Sequence, residues 1–444
     1  MVNSKKMCIF ESQISCTMTE DFLHYIWRYQ KLYTSKLHTT KGEDLQIVNP
    51  GFLNQDAGPD FDNARIYING QQWAGKVEIH MRSSDWYRHG HQHDAAYNGV
   101  ILHVVYEHDK PVYRQNEELI PTLTLKGIID ENLYWRYEQL IQNQNFIPCE
   151  NQLGSVDSFM WSTMLERVLV ERLEQKSESL EKIVLRNRGN WNRSFFDWVC
   201  RSFGLPVNAA PMLQLARMID ENWIDKHRNN PLQIEALFLG VSGLLEGEMP
   251  HDYGKTLKKE FEFLKSKYHL RVMPAEVWKY ARLRPPSFPD LRIAQCSRFL
   301  ATHANIFATV LQLNTVKEIK TLFTFSMPDF WQNHYKLIKK SATHNALPGK
   351  NFQERFIINA LVPFLFLYGR QKGHDEMAQK AFLLLEQLPF ENNKVTLGFK
   401  QRGVTAGNTA QASQALLQLK KQYCDAKACL RCSIGNHLLK QIQP

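Results

Sequence analysis

The feature that most constrains this chain is a single change of hydrophobic period near residue 150. Before it, apolar residues alternate in short runs bounded by Gly, Asn and Pro: "DLQIVNPG" (44–51), "ARIYING" (64–70), "GKVEIHMR" (75–82) and "GVILHVVYE" (99–107). Alternation puts successive side chains on opposite faces, which is the pattern of strands. After it, apolar residues recur every three to four positions. In "MLERVLVERLEQKSESLEKIVLR" (164–186), Leu165, Val168, Leu169, Leu173, Leu180, Ile183 and Val184 share one helical face. A sheet and a helical array bury apolar surface differently, so 444 residues with this switch are expected to form two domains.

Asp21–Tyr33 reads as an amphipathic first helix, Asn69-Gly70 as a tight turn, and "LIPTLTLKG" (119–127) as a further strand. A helix starts near Glu131, and the domain boundary falls within "CENQLGSVD" (149–157). The expectation is an α/β front domain over residues 18–150 and a larger, basic all-α domain over 155–444, α+β overall. The rear helices break at Gly204–Pro206, Asn229–Pro231, Pro274, Pro285–Pro289 and Gly349, with no fixed repeat. Met18 is a plausible natural start.

The net charge of +9 is unevenly spread. Residues 1–150 hold 14 Lys and Arg against 19 Asp and Glu, and the remainder holds 40 against 26. An acidic front with a basic rear suits a polyanion, here nucleic acid, held by one part and processed by the other. No apolar run reaches the length of about eighteen residues that spans a bilayer, so no membrane role is expected. The eight cysteines form no regular disulfide framework, and the N-terminus lacks a secretory pattern; a cytoplasmic location is expected.

The densest chemistry lies in "GKVEIHMRSSDWYRHGHQHD" (75–94) and just before it. Asp60 heads one strand, Glu78 lies in the next, and His80, two residues on, shares its face. Two carboxylates with waters suit Mg²⁺ or Mn²⁺ beside a phosphate, where the metal activates water and stabilises the leaving oxygen. Asp62 is a rival for the role given to Asp60. The layout resembles the PD-(D/E)XK nuclease superfamily: an acid after Pro (Pro59-Asp60), a hairpin, then acid-x-base (Glu78-Ile79-His80). The resemblance implies a restriction-endonuclease-like front domain and metal-dependent phosphodiester hydrolysis. Asp60 and Glu78 would hold the metal, and His80 would orient or activate water. Histidine stands where that superfamily usually has lysine, so the permanent charge is missing.

His89 and His91 are expected to line the groove beside Glu78 and contact substrate, while His103, inside an apolar strand, reads as a core histidine. Two alternatives stand beside the nuclease. "HGHQHD" invites comparison with the H-x-H-x-D-H motif of metallo-β-lactamase-like hydrolases, giving a zinc enzyme built on His89, His91 and His93. There His93 falls on the Asp position and the last His is missing. The other is a module that binds nucleic acid or protein without catalysis.

In the rear, Arg282, Arg284 and Arg292 flank a Pro-rich break in "WKYARLRPPSFPDLRIAQ" (278–295) and are expected to contact phosphates. Cys424, Cys429 and Cys432 are spaced C-x4-C-x2-C, and with Cys149 or His437 they would hold zinc or an iron–sulfur cluster. The runs "NPGFLNQDAGPDF", "FIPCE", "FGLPVNA", "LQIEALFLG" and "RLRPPSFPDLRIAQ", with that triplet, resemble a bacterial family catalogued as domain of unknown function 2851. The resemblance spans nearly all of the chain. It implies an α/β front plus a helical rear and brings no established activity.

Overall fold

The computed structural model describes residues 18–440 apart from 34, 35, 55 and 405, so the extension before Met18 lies outside the described residues. The chain divides into two compact units, one running to Met160 and resuming at Gln422, the other Trp161–Lys421. The first carries the sheet and the second is mostly helical, an α+β chain as the change of period implies.

In the front unit, α1 (Glu20–Arg28) leads into β1 (Leu37–His38), β2 (Asp44–Asn49), β3 (Phe52–Leu53), β4 (Phe61–Ile68) and β5 (Gln71–Arg82). A short α2 (Asp85–Arg88) and two single-turn 3₁₀ helices cross to β6 (Val100–Glu107), then β7 (Thr122–Thr124) and α3 (Glu131–Gln142). The helix α1 stops at Arg28 rather than reaching Tyr33. Gln30 turns left-handed (φ 49°), and the Lys31 N–H bonds back to the Ile26 carbonyl, closing the helix end.

The sheet order is β1-β2-β4-β5-β6-β7, with β3 paired to β4. Strands β1 to β5 pair antiparallel, whereas β5–β6 and β6–β7 are parallel. Asn69 and Gly70 both have positive φ (48° and 79°), as the two-residue hairpin between β4 and β5 requires. Strand β6 is buried on both faces, as expected of a strand with parallel neighbours on each side. Alternation along β5 then sorts its side chains. Val77 and Ile79 join the main core with Phe22, Ile26 and Trp27 of α1 and Tyr134 of α3. Glu78 and His80 point the other way, toward the side where Trp86, Tyr97 and Val100 cluster.

The end of the chain departs from expectation. Residues 422–440 belong to the front unit, not to the helical domain drawn over 155–444. Cys429, Leu430 and Leu439 lie in the front unit's main core. Helical periodicity shows that a segment has an apolar face but not which core receives it.

The helical unit opens on α4 (Ser158–Arg186), which begins in the last residues of the front unit. The unit also contains a two-stranded hairpin, His334–Lys336 with Lys339–Lys340, where only helices were expected. At its centre Glu235, fully buried, accepts hydrogen bonds from Arg298 Nε, Tyr253 Oη and Trp331 Nε1, each at 2.7 Å. No helix of the described residues is long and apolar enough to cross a membrane. Removing one partner of a buried pair strands the other charge, so Glu235→Ala is expected to destabilise this unit by about 3–5 kcal/mol. Urea unfolding followed by tryptophan fluorescence checks this.

Candidate metal centre

Asp60 sits at the edge where β4 and β5 part. Pairing runs irregularly between Phe61 and Ala64, and Asn63 takes a positive φ of 58°. Beyond that irregularity, side chains take over from the ladder. The Asp60 N–H donates to Glu78 Oε2 (3.1 Å), and the Ile79 N–H donates to Asp60 Oδ2 (2.8 Å). Each carboxylate thus satisfies the backbone of the other's strand. The clasp leaves Asp60 Oδ1 and Glu78 Oε1 uncommitted by it.

Glu78 Oε1 faces two imidazoles, 3.4 Å from His80 Nε2 and 3.1 Å from His91 Nε2. His80 in turn bridges two more rings. Its Nδ1 lies 2.8 Å from His103 Nε2, and its Nε2 lies 3.1 Å from His89 Nδ1. Sequence spacing explains the convergence. His80 and His103 lie on adjacent parallel strands, with Glu78 registered against His103. His89 and His91 arrive from the turn after α2, where Gly90 takes a left-handed conformation (φ 76°). The His91 ring stacks on Tyr97 at 3.8 Å and meets the edge of fully buried Trp86 at 5.3 Å.

One ligand atom from each of His80, His89 and His91 lies within 4.8 Å of the others, and this is the only such trio among the described residues. The His91 Nε2 is buried and close to Glu78 Oε1, yet no hydrogen bond is aligned there. An orphaned nitrogen beside a carboxylate oxygen fits a shared cation, because the nitrogen has no hydrogen bond to give up.

Burial governs protonation. It pushes the Glu78 carboxyl above its ordinary range, with Asp60 adding repulsion and His91 opposing. Burial, reinforced by the neighbouring His91 and His89, lowers His80 to about 3. It also drives His103 well below its ordinary value. Both rings are therefore neutral near pH 7, with a lone pair to offer.

Two residues that the sequence reading passed over complete the site. His24 Nε2 lies 3.3 Å from Asp60 Oδ2. Burial works against charging His24, but Asp60, Asp21 and Glu20 together outweigh it and raise its pKa. Glu20, one turn earlier on α1, is raised by burial while His89 and the Met81 N–H oppose. The signal was available: an acid and a histidine at i, i+4 on the polar face of the first helix.

The other expected residues sort as follows. Asp62 pairs with Lys76 on the neighbouring strand (3.5 Å), away from the clasp. His93 is exposed and stands outside the trio, so a zinc site of His89, His91 and His93 is not what the fold assembles. His103 is buried as a core histidine would be, but it holds His80 through the 2.8 Å contact. In the helical unit, Arg282 and Arg284 are exposed. Arg292 is buried, donates to Gln295 Oε1 and stacks 4.0 Å over Phe352. Burial brings its pKa down to about 9, so Arg292 packs rather than reaching outward to phosphates.

Cys149 and Cys429 pack in one core with Cys432 nearby, but among the described residues they form no group spaced to hold a metal. Burial, then Cys432 alongside, pushes the Cys149 thiol up to about 12, and Cys429 rises to about 12 from burial and both neighbours. Cys424 is half-buried, and the His437 ring approaches the Ser155 carbonyl at 3.3 Å.

The lowered histidines carry a sign. Below pH 6.5 the unfolded chain takes up protons at His80 and His103 and the folded chain does not, so these two groups cost stability as pH falls toward 4. In metal-stripped protein, long-range ¹H–¹⁵N spectra are expected to show both rings neutral from pH 8 down to pH 5. Protonation of either near pH 6.5 would contradict the buried network.

No curated protein and no solved structure matches the chain. One family model matches residues 20–394, a span that takes in Glu20 to His103 and stops before the Cys triplet. The chain belongs to the family described as protein of unknown function (DUF2851).

Proposed function

We propose that the front unit is a divalent-metal-dependent phosphodiesterase acting on nucleic acid, its metal held by Glu78 together with His80, His89 and His91. The observation that carries this reading is the clasp between Asp60 and Glu78, which sets two carboxylates and three imidazoles at one corner of the sheet. The order of elements supports the nuclease likeness. A helix precedes an antiparallel meander with Asp60 at the head of one strand and Glu78-Ile79-His80 in the next, and a crossover leads to a parallel strand.

The donor set shifts the expected metal. Three imidazoles and one carboxylate suit Zn²⁺ or Mn²⁺ better than Mg²⁺, which prefers an all-oxygen shell. When bound, such an ion lowers the pKa of its water and stabilises charge on the phosphoryl oxygens. The chain's own residues do the rest. Glu78, desolvated, gains its charge when a cation faces it. His80 would offer its Nε2 lone pair to such an ion, while its Nδ1, 2.8 Å from His103 Nε2, would fix the ring. His24, raised in pKa beside Asp60, is placed to hold a proton for a leaving oxygen.

The imidazole trio also favours a second reading, a zinc hydrolase whose substrate is not a nucleic acid. Metal and substrate profiles separate the two. Titration calorimetry with Zn²⁺, Mn²⁺ and Mg²⁺ is paired with cleavage assays on single- and double-stranded DNA and on RNA. We expect Zn²⁺ or Mn²⁺ to bind at one site and support cleavage, and Glu78→Gln to remove both. Protein that binds the metal but leaves every nucleic acid intact would favour the second reading, and no binding of any of the three ions would end both.

His103→Phe, which keeps the volume but removes the support of His80, is expected to weaken metal affinity by about 10–100-fold. His93→Ala is expected to leave affinity unchanged. Equal losses in the two variants would overturn the assignment of ligands.

A further inference from the structure

A second site emerges in the helical unit, which carries 37 Lys and Arg against 24 Asp and Glu over residues 161–421. A cavity of about 550 Å³ opens among α4, the helices Trp191–Phe203 and Lys350–Phe356, and the helix Ala410–Leu419. Four cations line it, Arg172, Lys176, Arg201 and Arg355, against one carboxylate, Glu391.

The way these cations are held is the informative part. None of the four makes an ion pair with a carboxylate among the described residues. Instead neutral amide oxygens position two of them. Arg172 Nε donates to Gln414 Oε1 (2.6 Å), and Lys176 Nζ donates to Gln414 Oε1 and Asn359 Oδ1 (2.8 Å each). Glu391 is engaged by the Gln414 amide nitrogen. Arg201 lies over the Trp198 ring at 4.7 Å, and Arg355 is exposed at the rim.

Asn359 enters from a π-helical turn, Ile357–Leu361, wedged between two α-helical stretches. Such a turn disrupts regular pairing and recurs at functional sites. Burial, with Arg172 adding repulsion and Glu391 opposing, lowers Lys176 to about 7. Four cations gathered around one carboxylate are costly, and an anion that entered would relieve that cost.

We propose that this cavity binds a ligand of mononucleotide size through a terminal phosphomonoester. Guanidinium forks and an ammonium match the several oxygens of a phosphate, and a phosphate alone would leave most of the volume empty. Trp198, Phe352 and Phe356 supply apolar lining for the ligand's body. The shared chemistry has two sources, a free nucleoside 5′-monophosphate or the 5′-phosphorylated end of a nucleic acid. The proposal is independent of the chemistry assigned to the front unit.

The test is titration calorimetry on the full chain in EDTA, so that no metal in the front unit recruits phosphate. The probes are AMP, adenosine, and a short oligonucleotide with a 5′-phosphate or a 5′-hydroxyl. AMP is expected to bind at least about tenfold tighter than adenosine. A 5′-phosphorylated oligonucleotide that binds as well as AMP assigns the chain end, and binding of AMP alone assigns the free nucleotide. Arg355→Gln, at an exposed position, is expected to weaken the phosphorylated probe at least about fivefold. Lys176→Met is expected to weaken it similarly. Adenosine binding as tightly as AMP, no heat with any phosphorylated probe, or an Arg355→Gln protein of unchanged affinity would each overturn the proposal.

Discussion

The site depends on one exchange of hydrogen bonds, the Asp60 N–H to Glu78 and the Ile79 N–H to Asp60. Where β4 and β5 part, two backbone donors lose their ladder partners, and a buried donor left unmet costs about 1–3 kcal/mol. Two carboxylates meet that need and are themselves fixed by it. Their second oxygens are then held in place at little further entropic cost, a condition for binding a cation tightly. The same bonds thus serve the stability of the sheet edge and the precision of the site.

Around that clasp lie groups whose states a cation would change. Glu78 is buried with too little countercharge, His80 and His103 are held neutral, and His91 presents a nitrogen with no aligned bond. Each state taken alone is unfavourable. Together they are what a cation would reverse, since it ionises the carboxylate and uses the lone pairs. The helical cavity shows the opposite sign, with Arg172 and Lys176 held by amide oxygens and a single carboxylate, Glu391, against four cations.

Much of this was legible in the sequence. Period two along "GKVEIHMR" places Glu78 and His80 on one face, and Asn69-Gly70 fixes the hairpin that brings Asp60 to Glu78's strand. What sequence could not supply was the company each residue keeps. His91 and His93 are both two steps from a neighbouring histidine, but the left-handed turn at Gly90 swings only His91 under Trp86. Arg292 resembles Arg282 and Arg284 until the packing of its helix buries it against Phe352. His103 looks inert in an apolar strand because its partner, His80, is 23 residues away in sequence. Distance along the chain hides contacts that parallel pairing creates.

The return of residues 422–440 to the front unit has a consequence for how the protein is made. The helical unit is an insertion, a stretch between two segments of one core. During synthesis the sheet emerges first but lacks Cys429, Leu430 and Leu439, so its apolar surface stays incomplete while some 260 residues are added. The helical unit, uninterrupted in sequence, can close as soon as it leaves the ribosome. The front unit's core is therefore completed only after the helical unit has been synthesised, and the corner that carries Asp60 and Glu78 belongs to the part completed last.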